Sequence, residues 1–202
     1  VIGQKHLVGE NAPIRNFINN KRIFSMILYG NPGIGKTSIA CAIAGSINEK
    51  YRVLNATVNN KKDIEVVIEE AKMYDGIVLI MDEIHRLNKD KQDILLPHLE
   101  SGLITLIGLT TSNPYHKINP AIRSRCQIFE LHELTREDIK KGLKKALKSL
   151  EDVSINEDSL NFITASYSGD FRSALNLLEM AYYADPKHQI TIPLLESIHA
   201  KK

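Results

Sequence analysis

Five short apolar runs recur along the chain: Ser25 to Tyr29, Tyr51 to Asn55, Ile77 to Met81, Ile104 to Thr110 and Gln127 to Leu131. Most are rich in β-branched residues or leucine, as buried parallel strands are. Between them lie stretches with helical spacing. Thr37 to Asn48 is rich in small residues, Lys61 to Lys72 brings Ile64, Val67, Ile68 and Ala71 to one side, and Asp90 to Glu100 carries Ile94, Leu95 and Leu99. Apolar runs alternating with amphipathic segments predict an α/β fold, a parallel five-stranded sheet covered by helices in αβα layers.

The strand pattern stops after Leu131, and helical patterning takes over from a boundary near Glu133. Thr135 and Asp138 have the spacing of a helix start in which each side chain caps the other's backbone, and Ile139, Leu143, Leu147 and Leu150 continue as an apolar stripe. Asn156 is placed to cap a helix over Asp158 to Ser168 that stops at Gly169, and Asp170 opens another running to about Ala184, before Pro186. Ile192 to Lys202 reads as an unfinished helix. With Val1 at the start, this marks the chain as a piece of a longer one.

Candidate chemistry begins at Gly30-Asn31-Pro32-Gly33-Ile34-Gly35-Lys36-Thr37, a full G-x-x-x-x-G-K-T pattern between a predicted strand and a predicted helix. Glycines let the backbone curl until its N–H groups point inward at phosphate oxygens, and the following helix start adds positive field. Lys36 suits the β and γ phosphates, and the Thr37 hydroxyl suits Mg²⁺. Ser38 follows in the same helix turn and joins the loop as a binding residue. An ordinary glycine turn is the competing reading, and the flanking strand and helix weigh against it.

A second signal is the run Ile77 to Met81 ending in Asp82-Glu83. Ligands sit at strand ends in sheets of this kind. Asp82 suits the metal, and Glu83 is placed to polarise a water attacking the γ phosphate. Two solvated acids capping the next helix are the alternative, disfavoured by the phosphate loop about fifty residues upstream.

With these motifs on the page the chain resembles the AAA+ ATPases. Asp82-Glu83-Ile84-His85-Arg86-Leu87-Asn88-Lys89, Gln92-Asp93, Leu96-Pro97-His98-Leu99-Glu100-Ser101-Gly102 and Ile107-Gly108-Leu109-Thr110-Thr111-Ser112-Asn113-Pro114 narrow the resemblance to the replication-associated recombination protein A (RarA/MgsA) group and the Werner-helicase-interacting ATPases. The resemblance implies a nucleotide-binding core over residues 1–133 and a helical lid over 134–202. It implies ATP and Mg²⁺ as the bound groups. Thr111 takes the role of the sensor that contacts the attacking water or γ phosphate, with Thr110 and Asn113 as competing positions. Arg125 becomes an arginine finger acting on a neighbouring subunit's nucleotide, with Arg123 its competitor, and Arg172 becomes a second sensor. Val1-Ile2-Gly3-Gln4 matches the segment that wraps the adenine, which makes Ile2 a binding residue, and Asn55 is a candidate to orient Glu83. His85 and Arg86 are read as scaffold or subunit contacts; a lone histidine beside two acids lacks the second ligand spacing of a zinc site.

The function so implied is a Mg-dependent ATPase acting in replication-fork maintenance, recombination and repair. Its expected partners are DNA, replication or repair proteins and further copies of the full-length chain. A clamp-loader or RuvB-like subunit is the alternative within the class; an ATP-holding scaffold with negligible turnover is the alternative outside it. A lone chain is expected to be nearly inactive, because the finger comes from a neighbour.

Charge adds little to this picture. Lys and Arg number 26 against 24 acids, a formal net of +2, so no basic footprint argues for DNA on its own. Lys140, Lys141, Lys144, Lys145 and Lys148 face away from the apolar stripe of the first lid helix and read first as a solvated face, second as a DNA or partner contact. No apolar stretch approaches a membrane span and no secretory signal pattern opens the chain, so the expectation is cytoplasmic. Cys41 and Cys126 are accordingly read as reduced thiols, and Asn55-Ala56-Thr57 as a chance glycosylation triplet.

Overall fold

The computed structural model describes residues 2–47 and 49–199. Helices α1 (Lys5–Val8) and α2 (Pro13–Asn19) precede β1 (Met26–Tyr29). There follow α3 (Lys36–Ser46), β2 (Tyr51–Asn55), α4 (Lys61–Tyr74), β3 (Ile77–Asp82) and a 3₁₀ turn at Ile84–Arg86. Next come α5 (Lys89–Glu100), β4 (Ile104–Thr110), α6 (Pro114–Lys117), α7 (Pro120–Arg123) and β5 (Gln127–Glu130). The chain closes with α8 (Arg136–Leu147), β6 (Ser154–Ile155), α9 (Glu157–Ser166), α10 (Phe171–Ala184), β7 (Gln189–Ile190) and α11 (Ile192–Ile198). Two compact units result: one holds Gly3–Asn31 and Lys36–His132, the other Ile2, Pro32–Gly35 and the chain from Glu133 onward.

In the first unit the five-stranded sheet has the order β2-β3-β4-β1-β5, with every pairing parallel. The apolar runs explain which strands are central. Ile27, Leu79, Ile80, Leu106 and Ile107 are all 0% exposed, and burying each such side chain contributes about 1.5–3 kcal/mol. Tyr51, Arg52 and Val53 are exposed because β2 is an edge strand. Helix α4 starts at a reciprocal cap between Asn60 and Asp63 and stops where Asp75 turns left-handed, φ 56°. Its buried face is Ile64, Val67, Ile68 and Ala71, the set the spacing picks out. Helix α3 packs Ile39, Ala40, Ile43 and Ala44 inward; its predicted last residue, Asn48, lies outside the described residues.

Among the described residues the second unit contains four helices and a two-residue parallel pairing, β6 with β7. Thr135 and Asp138 cap α8 reciprocally, Asn156 caps α9, and Asp170 caps α10 by accepting the Ser173 N–H at 3.1 Å. Gly169 adopts the left-handed conformation, φ 77°. The last helix, α11, ends at Ile198, where the His199 N–H turns back to the Leu195 carbonyl; the remainder of the expected helix, residues 200–202, lies outside the described residues. The β6–β7 pairing has no sequence signature, because two residues are too few to show a period. Among the described residues no helix is long and apolar enough to cross a membrane.

Candidate functional site

Strand order assembles the site. The first crossover runs from β1 to the far edge, so the chain leaves β1 and returns through β2, β3 and β4 to stand beside it. The C-terminal end of β4 therefore falls between the loop that follows β1 and the acids that end β3. Tyr29 pairs with Thr110 and Asn55 with Asp82 across the ladders, and the Gly30 N–H donates to the Thr110 carbonyl at 3.2 Å. The loop thus leaves the sheet at the level of Thr110.

Gly33 and Gly35 have φ of 81° and 89°, conformations that side-chain-bearing residues rarely adopt, and these reversals curl the backbone between β1 and α3. The Lys36 ammonium donates to the Gly30 and Asn31 carbonyls, each at 2.9 Å. Burial pulls its pKa below the ordinary lysine value, while the negative charges of Asp82 and then Glu83 pull the other way. A lysine that feels both acids shares their space, although 46 positions separate Lys36 from Asp82 in sequence.

Asp82 ends β3, and its Oδ1 accepts the Glu83 N–H at 2.8 Å. Glu83 sits in the left-handed region, φ 53°, a conformation that costs a non-glycine residue about 1–3 kcal/mol and recurs at functional sites. Two features hold the turn in that shape. Ile84 is buried, 2% exposed, and it seats against β4 at Gly108, where a Cβ would stand 2.7 Å from Ile84 Cδ1. His85 bridges outward: its Nε2 lies 3.3 Å from Glu83 Oε2 and its Nδ1 2.7 Å from Thr110 Oγ1.

The remaining candidates are placed as follows. Thr111 is exposed just past β4. Thr110 is 1% exposed and engaged with His85, and Asn113 spends its side chain capping α6 through the Tyr115 N–H at 3.0 Å. Asn55 forms its own turn, its Oδ1 accepting the Thr57 N–H at 2.8 Å and the Thr57 hydroxyl at 2.5 Å. Arg123 donates to the Tyr115 carbonyl at 2.7 Å. Arg125, half exposed, pairs with Glu100 at 3.2 Å. Gln4 clamps the backbone beyond β5, its amide donating to the His132 carbonyl at 2.7 Å and its carbonyl accepting the His132 N–H at 2.9 Å. Val1 lies outside the described residues.

In the second unit, Ile2 and the Phe171 ring fill the space that Gly142 leaves on α8. Arg172 is exposed in the first turn of α10. Of the lysine face, Lys140 and Lys144 are committed to Glu157, at 2.6 and 3.2 Å. That hydrogen bonding raises the Lys140 pKa and lowers that of Glu157.

Among the described residues no group of three or more His, Cys, Asp or Glu side chains could hold a metal. The Thr37 hydroxyl and the Asp82 carboxylate are oxygen donors of the kind that suit Mg²⁺ when phosphate and water complete its shell, so the residues present fit a magnesium nucleotide.

Cys126, next to Arg125, is half buried, and burial pushes its thiol pKa from 9.0 up to about 12. A raised thiol pKa means that the unreactive protonated form persists to higher pH. Alkylation of the native chain at pH 9, read by mass spectrometry, is expected to leave Cys126 almost unmodified; it should label fast only in denaturant or as pH nears 12.

Sequence reasoning overlooked two supporting residues, Gly108 and His85 in its bridging role. A glycine inside an otherwise β-branched strand is a recognised sign of close approach and could have exposed the first. Nothing local could have exposed the second, because Thr110 is 25 residues from His85.

Residues 26–134 match the model of the ATPase family associated with various cellular activities (AAA). Replication-associated recombination protein A of Bacillus subtilis is 53% identical over a 213-residue alignment covering 100% of this chain and 51% of that protein. ATPase WRNIP1 of Dictyostelium discoideum is 36% identical over 98% of this chain and 24% of its own length. The chain thus spans between about a quarter and about half of these relatives. Among solved structures, the RuvB Holliday junction branch migration motor of Thermotoga maritima superposes with a TM-score of 0.81 at 26% identity, over 97% of this chain and 68% of that one.

Proposed function

The chain belongs to the AAA family of ATPases, and from that premise we propose that it binds ATP with Mg²⁺ at the Gly30–Thr37 loop and hydrolyses it, as a subunit of the replication-associated recombination type acting in replication-fork maintenance, recombination and repair. The observation that carries this reading is the β3-β4-β1 strand order, which brings the Gly30–Thr37 loop and the two acids ending β3 to the same edge of the sheet, where the charges of Asp82 and then Glu83 act on the Lys36 ammonium. Identity of 53% to a replication-associated recombination protein favours that type over a RuvB-like motor at 26%. DNA and further copies of the full-length chain are the partners this reading assigns.

The residues divide the work. Backbone N–H groups from Gly33 to Thr37 and Ser38 cradle the phosphates within the Gly30–Thr37 loop, Ile2 lies against the base, and Lys36 neutralises the β and γ charges. Thr37 and Asp82 would hold Mg²⁺, which would supply neutralisation of phosphate charge when bound. Glu83 accepts a proton from the attacking water as its oxygen bonds to the γ phosphorus; the bond to the bridging oxygen breaks, leaving ADP and phosphate. Thr111 and Arg172 sense the γ phosphate, and Arg125 serves the neighbouring subunit. Support for Arg125 over Arg123 comes from its surface position, since Arg123 is tied to the Tyr115 backbone.

Calorimetry tests the binding step. ATP with Mg²⁺ should give a clear heat of association that Lys36→Ala reduces by at least about tenfold in affinity, as expected for losing a charge-assisted phosphate contact worth about 1.5–3 kcal/mol. Unchanged affinity in Lys36→Ala, or no heat with any nucleotide, would refute the reading. Phosphate release measured with and without DNA separates an ATPase from a scaffold that merely holds ATP.

A further inference from the structure

We propose that His85 is the positioning residue of Glu83, fixing the general base and tying it to the strand end that carries Thr111. The proposal rests on the reading of Glu83 as the base. Its ground is a continuous line of polar contacts: the Ser112 N–H donates to Thr110 Oγ1 at 3.0 Å, Thr110 Oγ1 and His85 Nδ1 share a hydrogen bond at 2.7 Å, and His85 Nε2 stands 3.3 Å from Glu83 Oε2, in ion-pair range.

An ionised Glu83 carboxylate can only accept, so the tautomer that carries its proton on Nε2 is the one that turns a donor toward it. In that tautomer Nδ1 accepts the Thr110 hydroxyl proton while Thr110 Oγ1 accepts the Ser112 N–H. One carboxylate oxygen then faces the ring N–H and the other is left to receive a proton from water. The His85 side chain is 12% exposed and the Thr110 residue 1% exposed, so neither partner is loosely solvated, whereas the Glu83 side chain, at 33%, keeps an open edge.

Glutamate on a left-handed turn has three rotatable side-chain bonds, and a misplacement of about 1 Å in a catalytic group can cost about 10²-fold in rate. A donor at Nε2 removes that freedom. Because Thr110 and Ser112 flank Thr111, any shift of Thr111 on meeting the γ phosphate displaces the groups that hold His85 and, through it, Glu83. The line couples nucleotide sensing to alignment of the base within one chain.

The test measures steady-state turnover, ATP affinity and thermal midpoint on the complete natural chain with DNA present. His85→Leu is expected to lower kcat about ten- to a hundredfold with ATP affinity within about twofold. His85→Gln, whose amide N–H reaches the place of Nε2–H, should recover part of the loss. Thr110→Val, a near-isosteric change, should lower kcat in the same direction, and the double variant His85→Leu/Thr110→Val should be no slower than His85→Leu alone. Wild-type kcat in His85→Leu, or fully additive losses in the double variant, would overturn the proposal. Should His85→Leu lose its fold, Thr110→Val and His85→Gln decide: wild-type kcat in Thr110→Val, or no advantage of His85→Gln over His85→Ala, refutes it. Glu83→Gln runs alongside. If that variant keeps full turnover the base reading itself is wrong, whereas a dead Glu83→Gln beside a fully active His85→Leu removes only the inference drawn from His85.

Discussion

Arg125→Ala should lower ATP turnover by about 10³-fold or more, while each chain still binds ATP as before. The magnitude is that of arginine fingers in nucleotide hydrolases, about 10³ to 10⁵, because a guanidinium neutralises charge that develops on the phosphoryl group only in the transition state. The ground state loses nothing, so affinity is spared. In the isolated chain Arg125 pairs with Glu100 at 3.2 Å, both half exposed. A pair this exposed is worth at most about 1 kcal/mol, so it does not hold the arginine back from a neighbour's phosphate. Mixing supplies the decisive measurement. Arg125→Ala chains keep an intact loop and Lys36→Ala chains keep an intact arginine, so combining two inactive proteins should restore part of the turnover. Mixtures as inactive as their components would show that Arg125 does not act on a neighbour, and Arg125→Ala at wild-type rate would show that it does not act at all.

Glu83→Gln is the second large effect, a loss of about 10² to 10⁴ in kcat with ATP still bound. The amide keeps the shape and the capacity to accept the His85 N–H, but it cannot take a proton from water. Binding is expected to hold or tighten slightly, since one negative charge near the phosphates is gone. Phosphate release under saturating ATP, with DNA present, reads the first quantity and calorimetry the second. Turnover unchanged in Glu83→Gln would remove direct water attack assisted by this carboxylate.

Both experiments depend on residues that differ in how plainly the chain announces them. The apolar runs translate into strands almost residue for residue, because the central strands, buried on both faces, have to be apolar throughout; only the ends drift, with Ser25 left outside β1, Leu131 left outside β5 and Asp82 drawn into β3. Ser25 instead accepts the Leu106 N–H on its hydroxyl at 2.9 Å, a long-range use of a polar side chain that no local pattern encodes. Caps at Thr135, Asn156 and Asp170 are visible in sequence because donor and acceptor lie within three residues. The loop from Gly30 to Thr37 and the acids Asp82 and Glu83 are visible for the same reason: each is a local run whose chemistry depends on adjacent residues.

Choosing among Thr110, Thr111 and Asn113, or between Arg123 and Arg125, is another matter. These residues are interchangeable in composition and lie within a few positions of one another. What separates them is the company they keep in space: Thr110 against His85, Asn113 on the α6 cap, Arg123 on the Tyr115 carbonyl.

The sequence alone determined the five strands of the sheet and the longer helices, the all-parallel core, the phosphate-loop pattern and the paired acids, since all of these follow from periodicity and neighbouring side chains. The tertiary structure alone decided the strand order that brings β4 between β1 and β3, the seating of Ile84 on Gly108, and the line from Ser112 through Thr110 and His85 to Glu83. Those depend on packing between segments far apart in the chain, where the contact partners are set by which apolar faces bury together and not by any spacing along the backbone.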